Sequence, residues 1–197
     1  MRKEANILFV GVGGQGTISA SNLLSAALIE LGYDVKMSEV HGMAQRGGSV
    51  STQVRYGETV HSPLIEKGTA DYIVSFEKSE SGRWLSYLKE DGTIISSLHE
   101  IRPYSVNMGK EVYPEGILLE MEEKGYQVMA VDAQVRALAL GNAKAANMIL
   151  LGILARELGL EESLLKNLIR QYFRTDLQAV NLLALEEGYG QRPVEVL

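Results

Sequence analysis

The first pattern of hydrophobic positions lies near the start of the chain. The apolar stretch Ile7-Leu-Phe-Val10 is typical of a buried parallel strand. It runs directly into Gly11-Val-Gly-Gly-Gln-Gly16. From Thr17 onward, apolar residues recur at helical spacing as far as Leu31. The pattern therefore predicts a strand, a tight glycine turn and an amphipathic helix in succession.

Strand-like and helix-like patterns continue along the whole chain. Further strands are predicted at residues 33–38, 49–56, 70–76, 93–98 and 126–131. Helices are predicted at residues 77–88, 117–124, 133–140, 143–158, 162–173 and 177–187. We expect a single domain over residues 1–197, with an α/β fold. The expected architecture is a Rossmann-like, mostly parallel sheet flanked by helices, with a helical C-terminal part.

Local signals set some of the predicted boundaries. Asp132 and Asn142 are suited to cap the helices that follow them, and Gly159 is suited to end a helix. Asp91-Gly92 predicts a turn before the strand at 93–98. Residues 101–114 contain two of the four prolines and predict an extended connection.

The glycine turn is the first candidate site. Gly11, Gly13 and Gly16 fit the dinucleotide-binding fingerprint, in which glycine permits a tight turn and close approach of an anion. Backbone N–H groups at the helix start would face that anion. Glu39 lies where such a site places an acidic residue for a ribose hydroxyl. The alternative is that the glycines, with Gly14 among them, only turn the chain between strand and helix.

The loop at residues 39–48 is the second candidate site, because it should emerge beside the glycine turn. Arg46, followed by Gly47 and Gly48, is suited to hold a phosphate or carboxylate through its bidentate fork. Gln45 and His41 would add neutral polar contacts. The alternative is an irregular surface loop in which Arg46 is solvated or pairs with a nearby carboxylate.

Asn147 is a third candidate, because it lies on a predicted helix among small and apolar residues. A buried amide needs hydrogen-bond partners, which a loop carbonyl or a ligand could supply. Gly152 and the neighbouring alanines would allow another helix or a sheet to approach closely.

Composition narrows the function classes. The chain has 46% hydrophobic residues, 22% charged residues and a net charge of −6, which disfavours a general affinity for nucleic acid or an anionic membrane. The apolar run at 148–155 is too short to span a bilayer, and the first residues do not resemble a secretory signal. We therefore expect a cytoplasmic protein.

Cysteine and histidine usage excludes several chemistries. The chain has no cysteine, so it cannot form disulfides, use a catalytic thiolate or hold a cysteine-ligated iron–sulfur cluster. Its three histidines do not have a metal-ligand spacing, and no metal site is expected. No Ser/His/Asp set and no general acid or base is identified, so the chain has no candidate catalytic residue.

Three motifs together resemble a known family. They are Gly11-Val-Gly-Gly-Gln-Gly16, Glu39-Val-His-Gly-Met-Ala-Gln-Arg-Gly-Gly-Ser-Val50 and Asn147-Met-Ile-Leu-Leu-Gly152. In this order they closely resemble the gamma domain of the 2-oxoacid:ferredoxin oxidoreductases, and the resemblance covers essentially the whole chain. Within that family, the second motif is similar to the beta subunits of indolepyruvate ferredoxin oxidoreductases.

The resemblance implies a subunit of a larger enzyme. Such enzymes oxidatively decarboxylate a 2-oxoacid on thiamine diphosphate, pass electrons through iron–sulfur clusters to ferredoxin and form an acyl-CoA. Thiamine diphosphate, magnesium and the clusters are then expected on a large partner subunit, with ferredoxin as acceptor of the complex. Coenzyme A is implied as a ligand at the subunit interface. The residues implied at the polar end of that cleft are Gly13, Gly14, Gln15, Gly16, Arg46, Gly47 and Gly48.

Two other function classes remain open from the residues alone. The glycine turn and Glu39 favour a stand-alone nucleotide-dependent oxidoreductase. The lack of catalytic residues favours a non-catalytic module that senses a nucleotide or another anion. A chain isolated from its partner could also form a homo-oligomer through the surface that the partner would cover.

Overall fold

The computed structural model describes residues 2–41 and 47–191, and only the backbone of His41. The strands are β1 (Ala5–Val12), β2 (Asp34–His41), β3 (Ser49–Gly57), β4 (Ala70–Ser75), β5 (Leu88–Ser97) and β6 (Gln127–Val131). The helices are α1 (Thr17–Glu30), α2 (Lys78–Arg83), α3 (Tyr104–Asn107), α4 (Ile117–Glu123), α5 (Ala133–Ala139), α6 (Ala146–Leu158), α7 (Glu162–Tyr172) and α8 (Thr175–Gly190). Short 3-10 turns occupy Leu85–Tyr87 and Ala143–Ala145.

The six strands form one sheet in the order β2-β3-β1-β4-β5-β6. The pairs β1–β4, β4–β5 and β5–β6 are parallel, whereas β3 is antiparallel to both β1 and β2. Every strand except β3 therefore runs in the same direction. The expected α/β fold with a mostly parallel sheet is confirmed, with an antiparallel strand inserted between β1 and β2.

Strand β1 separates two hydrophobic cores. Ile7 and Phe9 belong to the larger core, which contains α1 and the helices from α5 to α8. Leu8 and Val10 belong to the smaller core, together with residues of α4. Because successive side chains of a strand point to opposite faces, an uninterrupted apolar run buries both faces of the sheet. The strand pattern at the start of the chain thus sets the position of both helical layers.

Helix α6 lies inside the larger core, and its side chains are almost all buried. It touches α8 through two glycines that leave no room for a side chain. A Cβ added to Gly188 would overlap the Ile149 carbonyl oxygen, and one added to Gly152 would lie 2.5 Å from the Leu185 carbonyl oxygen. The close approach predicted at Gly152 is therefore a contact between two helices of this chain.

The local helix signals are confirmed. The Asp132 side chain accepts a hydrogen bond from the Val135 N–H at 3.1 Å and caps α5. Asn142 accepts one from the Lys144 N–H at 3.0 Å and caps the 3-10 turn that leads into α6. Gly159 ends α6 at φ 73°. These predictions are correct because each depends on residues that are only a few positions apart.

Three boundaries in the first half of the chain differ from prediction. The helix expected to continue to residue 88 ends at Arg83. Strand β5 runs through Asp91-Gly92, where a turn was predicted, and its register against β4 shifts between Ala70 and Tyr72. Glu39 lies within β2 rather than in the following loop. For Glu39, pairing with Thr52 of β3 overrides the local preference.

Residues 101–114 are mainly irregular, as predicted, apart from the short helix α3. Both ends of this segment are fixed by Glu77, which is completely buried. The Glu77 carboxylate accepts the Ile101 N–H at 3.1 Å and the Tyr113 hydroxyl. Its second oxygen accepts the Ser79 hydroxyl at 2.6 Å and the Glu80 N–H at 3.0 Å. Burial and this hydrogen bond to Glu77 raise the pKa of Tyr113, which therefore remains a neutral donor.

The contact between α6 and α8 generates a stability prediction. Gly188→Ala should lower the free energy of unfolding by about 1–3 kcal/mol, because the methyl group overlaps the Ile149 carbonyl and the helices must separate. The matched control is Gly190→Ala in the same helix, where an added Cβ meets nothing within 4 Å. Urea unfolding of both variants measures the difference. Equal effects would show that the close contact does not limit stability.

Candidate functional site

The turn between β1 and α1 has the backbone conformation that its glycines predict. Gly14 and Gly16 have φ values of 106° and 85°, in the left-handed region that favours glycine. Gly11 lies earlier, at the end of β1, where an added Cβ would meet the Gln15 Oε1 at 2.9 Å and the Phe76 Cβ at 3.0 Å. Gly11 therefore allows close packing, whereas Gly14 and Gly16 turn the chain.

Gln15 holds this turn against the sheet. Its Oε1 accepts the Val12 N–H at 2.7 Å, and its Nε2 donates to the Phe76 carbonyl oxygen at 2.8 Å. The side chain thus joins the end of β1 to the residue that follows β4. The structure places Gln15 as an internal brace of the turn, although it remains beside the predicted cleft.

Asn147 contacts the same turn from α6. Its Nδ2 donates to the Gly16 carbonyl oxygen at 3.3 Å, and a Cβ on Gly16 would lie 2.6 Å from that nitrogen. Among the described residues, the buried Asn147 Oδ1 has no hydrogen-bond partner. A loop carbonyl therefore satisfies one side of the amide, as the sequence allowed, and the other side is left without a protein partner in this part of the chain.

The loop between β2 and β3 reaches the turn on a third side. Gly13 donates its N–H to the Gly48 carbonyl oxygen at 2.9 Å, and the Gly47 N–H donates to the Gly13 carbonyl oxygen at 3.4 Å. The expected proximity of the two glycine motifs is thus present at Gly47 and Gly48. Gln45, Arg46 and the side chain of His41 lie outside the described residues, and their assignment remains a prediction.

These elements enclose a cavity of about 470 Å³, which we call the glycine groove. One wall is formed by the turn and the first residues of α1, and the other by β2 and β3. The lining residues are Gly13, Gly14, Gly16, Thr17, Ile18, Ser19, Glu39, Val40, Val50, Ser51 and Thr52.

The start of α1 gives the glycine groove a positive end. The helix has 14 residues, no side-chain cap and no acidic residue in its first turn. In the described part of the chain, the N–H groups of Thr17 and Ile18 have no acceptor. Unpaired N–H groups and the helix dipole together favour an anion at this point. The groove is therefore suited to bind a phosphate or carboxylate group.

Two serines of β3 have roles that the sequence did not reveal, and one of them, Ser51, lines the groove. Ser51 on β3 is buried, and its hydroxyl has no hydrogen-bond partner among the residues described. Ser49 donates to the buried carboxylate of Glu80, which also accepts Arg83 Nε at 2.9 Å. No local signal could reveal these contacts, because Ser49 and Glu80 are 31 positions apart.

The position of Glu39 differs from that in a complete dinucleotide site. Glu39 lines the groove and is exposed, but β3 separates β2 from β1. Two strand spacings of roughly 4.8 Å place β2 about 10 Å from β1, whereas the fingerprint requires neighbouring strands. This geometry does not favour the stand-alone dinucleotide-dependent oxidoreductase.

A smaller cavity of about 140 Å³ lies on the other side of Gly14. It is lined by His99 and Lys144, together with Gln134 and the turn itself. Within residues 2–41 and 47–191, no group of three His, Asp or Glu side chains is arranged to hold a metal ion. In the same ranges, no helix is both long enough and apolar enough to cross a membrane.

The comparisons define the class of protein. The family model described as pyruvate ferredoxin/flavodoxin oxidoreductase matches residues 6–191, and the chain belongs to this family. Indolepyruvate oxidoreductase subunit IorB from Thermococcus kodakarensis is 41% identical over 191 residues, covering 94% of this chain and 95% of that protein. The resemblance stated from the three motifs is confirmed, and a small subunit of a 2-oxoacid:ferredoxin oxidoreductase is favoured over the stand-alone enzyme.

Solved structures share the fold. The gamma subunit of keto/oxoacid ferredoxin oxidoreductase from Geobacter sulfurreducens has a TM-score of 0.69 at 21% identity, covering 94% of this chain and 96% of that one. A 2-oxoglutarate:ferredoxin oxidoreductase from Magnetococcus marinus, with 2-oxoglutarate, coenzyme A and succinyl-CoA bound, has a TM-score of 0.73 at 19% identity. The match covers 100% of this chain and 33% of the Magnetococcus chain.

The brace generates a prediction about stability. Gln15→Ala should lower the free energy of unfolding by about 2–4 kcal/mol, because two backbone groups lose their partner and each unpaired buried group costs roughly 1–3 kcal/mol. Gln134→Ala is the control, since Gln134 lines the neighbouring small cavity and has no side-chain hydrogen bond to the described residues. Denaturant unfolding of the Gln15→Ala and Gln134→Ala proteins measures the difference in stability. A Gln15→Ala protein as stable as the control would exclude the bracing role.

Proposed function

We propose that this chain is the small, non-redox subunit of a 2-oxoacid:ferredoxin oxidoreductase that prefers indolepyruvate or related aryl pyruvates. The complex would convert the 2-oxoacid and coenzyme A to an acyl-CoA and carbon dioxide, with ferredoxin accepting the electrons. The family membership and the 41% identity to an indolepyruvate oxidoreductase subunit support this proposal.

The residues of this chain do not fit the redox cofactors. Iron–sulfur clusters of this kind are held by cysteine thiolates, and the chain has no cysteine. Among the described residues, no group of three or more His, Asp or Glu side chains is arranged to hold a metal ion. Thiamine diphosphate, magnesium and the clusters are therefore assigned to a large partner subunit. The role of this chain is to bind and orient a substrate group at the interface.

The glycine groove is the observation that supports a role in binding coenzyme A. Coenzyme A carries phosphate groups, and the unpaired N–H groups at the start of α1 are suited to receive one of them. Gly14 is exposed and presents only backbone to the groove, so a phosphate can approach closely. Arg46 would add a bidentate contact from the loop that Gly47 and Gly48 join to the turn. Ferredoxin would bind elsewhere on the complex.

The division of labour predicts that neither chain is fully active alone. This chain should purify without the absorbance of an iron–sulfur cluster and should show no 2-oxoacid-dependent reduction of a viologen dye. Mixing it with the large subunit in the presence of coenzyme A should produce that activity, with indolepyruvate preferred over pyruvate. Sedimentation of the isolated chain would show whether it self-associates through the face that the large subunit would cover. Activity of this chain alone, or full activity of the partner without it, would contradict the assigned role.

A substitution in the turn tests the coenzyme A site. Gly14→Val should raise the apparent KM for coenzyme A at least about tenfold in the assembled complex, because the side chain enters the phosphate approach. Gly125→Val is the control, since Gly125 also has positive φ, at 87°, and also has open surroundings, but lies between α4 and β6. Both variants carry similar backbone strain. If both change the KM equally, the effect comes from strain rather than from the groove.

A further inference from the structure

A second polar cavity lies at the opposite end of the sheet from the glycine groove. Its volume is about 410 Å³, and it opens beside the amino-terminal ends of β1 and β4. Since β1 has 8 residues, and a strand rises roughly 3.3 Å per residue, the two cavities are about 25 Å apart. We call it the basic cavity. Its charged lining residues are Arg2, Lys3, Arg55, Lys89, Glu4 and Asp71.

The charge of the basic cavity is opposite to that of the chain. The chain carries a net charge of −6, whereas cations outnumber carboxylates in this lining. Tyr56, which also lines the cavity, adds no negative charge, because burial raises its pKa. Its hydroxyl donates to the Arg2 carbonyl oxygen at 3.3 Å.

Asp71 orients two of the cations without neutralising both. Its Oδ1 accepts Arg2 Nη1 at 2.8 Å and also accepts Lys89 Nζ. Its Oδ2 accepts the Asn6 N–H at 2.8 Å. One carboxylate is thus shared between a guanidinium and an ammonium group. Both cations retain further N–H donors for a ligand.

Arg55 is fixed by neutral acceptors. Its Nε donates to Asn6 Oδ1 at 2.8 Å, and its Nη1 donates to the carbonyl oxygens of Ser62 at 3.0 Å and Leu64 at 3.1 Å. Within the described ranges, no carboxylate forms an ion pair with Arg55, and its Nη2 has no acceptor. A partly buried guanidinium in a defined orientation thus keeps an unneutralised charge and one free donor nitrogen, Nη2.

We propose that the basic cavity binds a small phosphate-bearing anion. Its volume lies within the usual range of small-molecule sites, roughly 300–1,000 Å³. Arg55 Nη2 can donate to phosphate oxygens, and the unused Nε and Nη2 of Arg2 can contact them in bidentate fashion. Lys3 and Lys89 add point charges. The site is separate from the glycine groove and does not depend on the proposed function.

Calorimetric titration of the full chain with pyrophosphate tests this site, with chloride used to keep ionic strength constant. Lys3→Gln and Arg55→Gln should each weaken binding at least about tenfold. Lys3 makes no hydrogen bond or ion pair to the described residues, so its variant stays informative even if Arg55→Gln fails to fold. Arg174→Gln removes the same charge outside the cavity, where Arg174 is 80% exposed and pairs with Asp176, and should have no effect. Titrations with ADP and citrate then identify the anion class.

The four variants distinguish binding in the basic cavity from diffuse attraction and from binding in the glycine groove. Weakening by the two cavity substitutions, with unchanged binding in Arg174→Gln, supports the proposal. Equal weakening by Arg174→Gln would show only diffuse electrostatic attraction and would overturn it. Loss of pyrophosphate binding in Gly14→Val alone would show that the anion binds in the glycine groove, and this result would also overturn the proposal. Absence of binding at millimolar pyrophosphate, or tighter binding of citrate than of either phosphate compound, excludes a phosphate site here.

Discussion

The fixed position of the turn between β1 and α1 is the constraint on which the rest of the site depends. Gln15 ties the turn to β1 and β4, Asn147 contacts it from α6, and Gly13 exchanges two backbone hydrogen bonds with the β2–β3 loop. Because these contacts come from three directions, the N–H groups at the helix start are held in place before any ligand arrives. When an anion site is preorganised, binding loses little free energy to the ordering of the site. The glycines permit the turn, but residues distant in sequence hold it.

The antiparallel strand β3 explains why a dinucleotide fingerprint here does not imply a dinucleotide site. In the usual arrangement the second strand lies beside the first, so its terminal acidic residue reaches the ribose. Here β3 occupies that place, and Glu39 is carried to the far wall of a wider groove. The hairpin also delivers its loop to the turn. The first glycine motif is thereby joined to a second one, Gly47-Gly48, by backbone hydrogen bonds.

The features that the sequence alone predicted correctly are those that depend on interactions between residues close together in the chain. The strand–turn–helix unit, the caps at Asp132 and Asn142 and the end of α6 at Gly159 all depend on residues close together in the chain. Asp91-Gly92, predicted as a turn, lies instead within β5, at the point where the register against β4 shifts between Ala70 and Tyr72. Ser51 was missed because its position beside the groove depends on strand order. The basic cavity was missed because Arg55 and Lys89 are brought together only by the sheet. Long-range pairing, rather than propensity, determines these features.

The anchoring of residues 101–114 has a consequence for motion. One oxygen of Glu77 bonds both Ile101 and Tyr113, so a single buried atom closes the segment into a loop. Opening either end leaves the buried Glu77 carboxylate with fewer hydrogen-bond partners, and this cost favours release of both ends together. The segment therefore has the properties of a cooperative unit of local unfolding, separate from the two cores. In hydrogen exchange, amides along it would share one opening free energy, below that of the strands of the sheet.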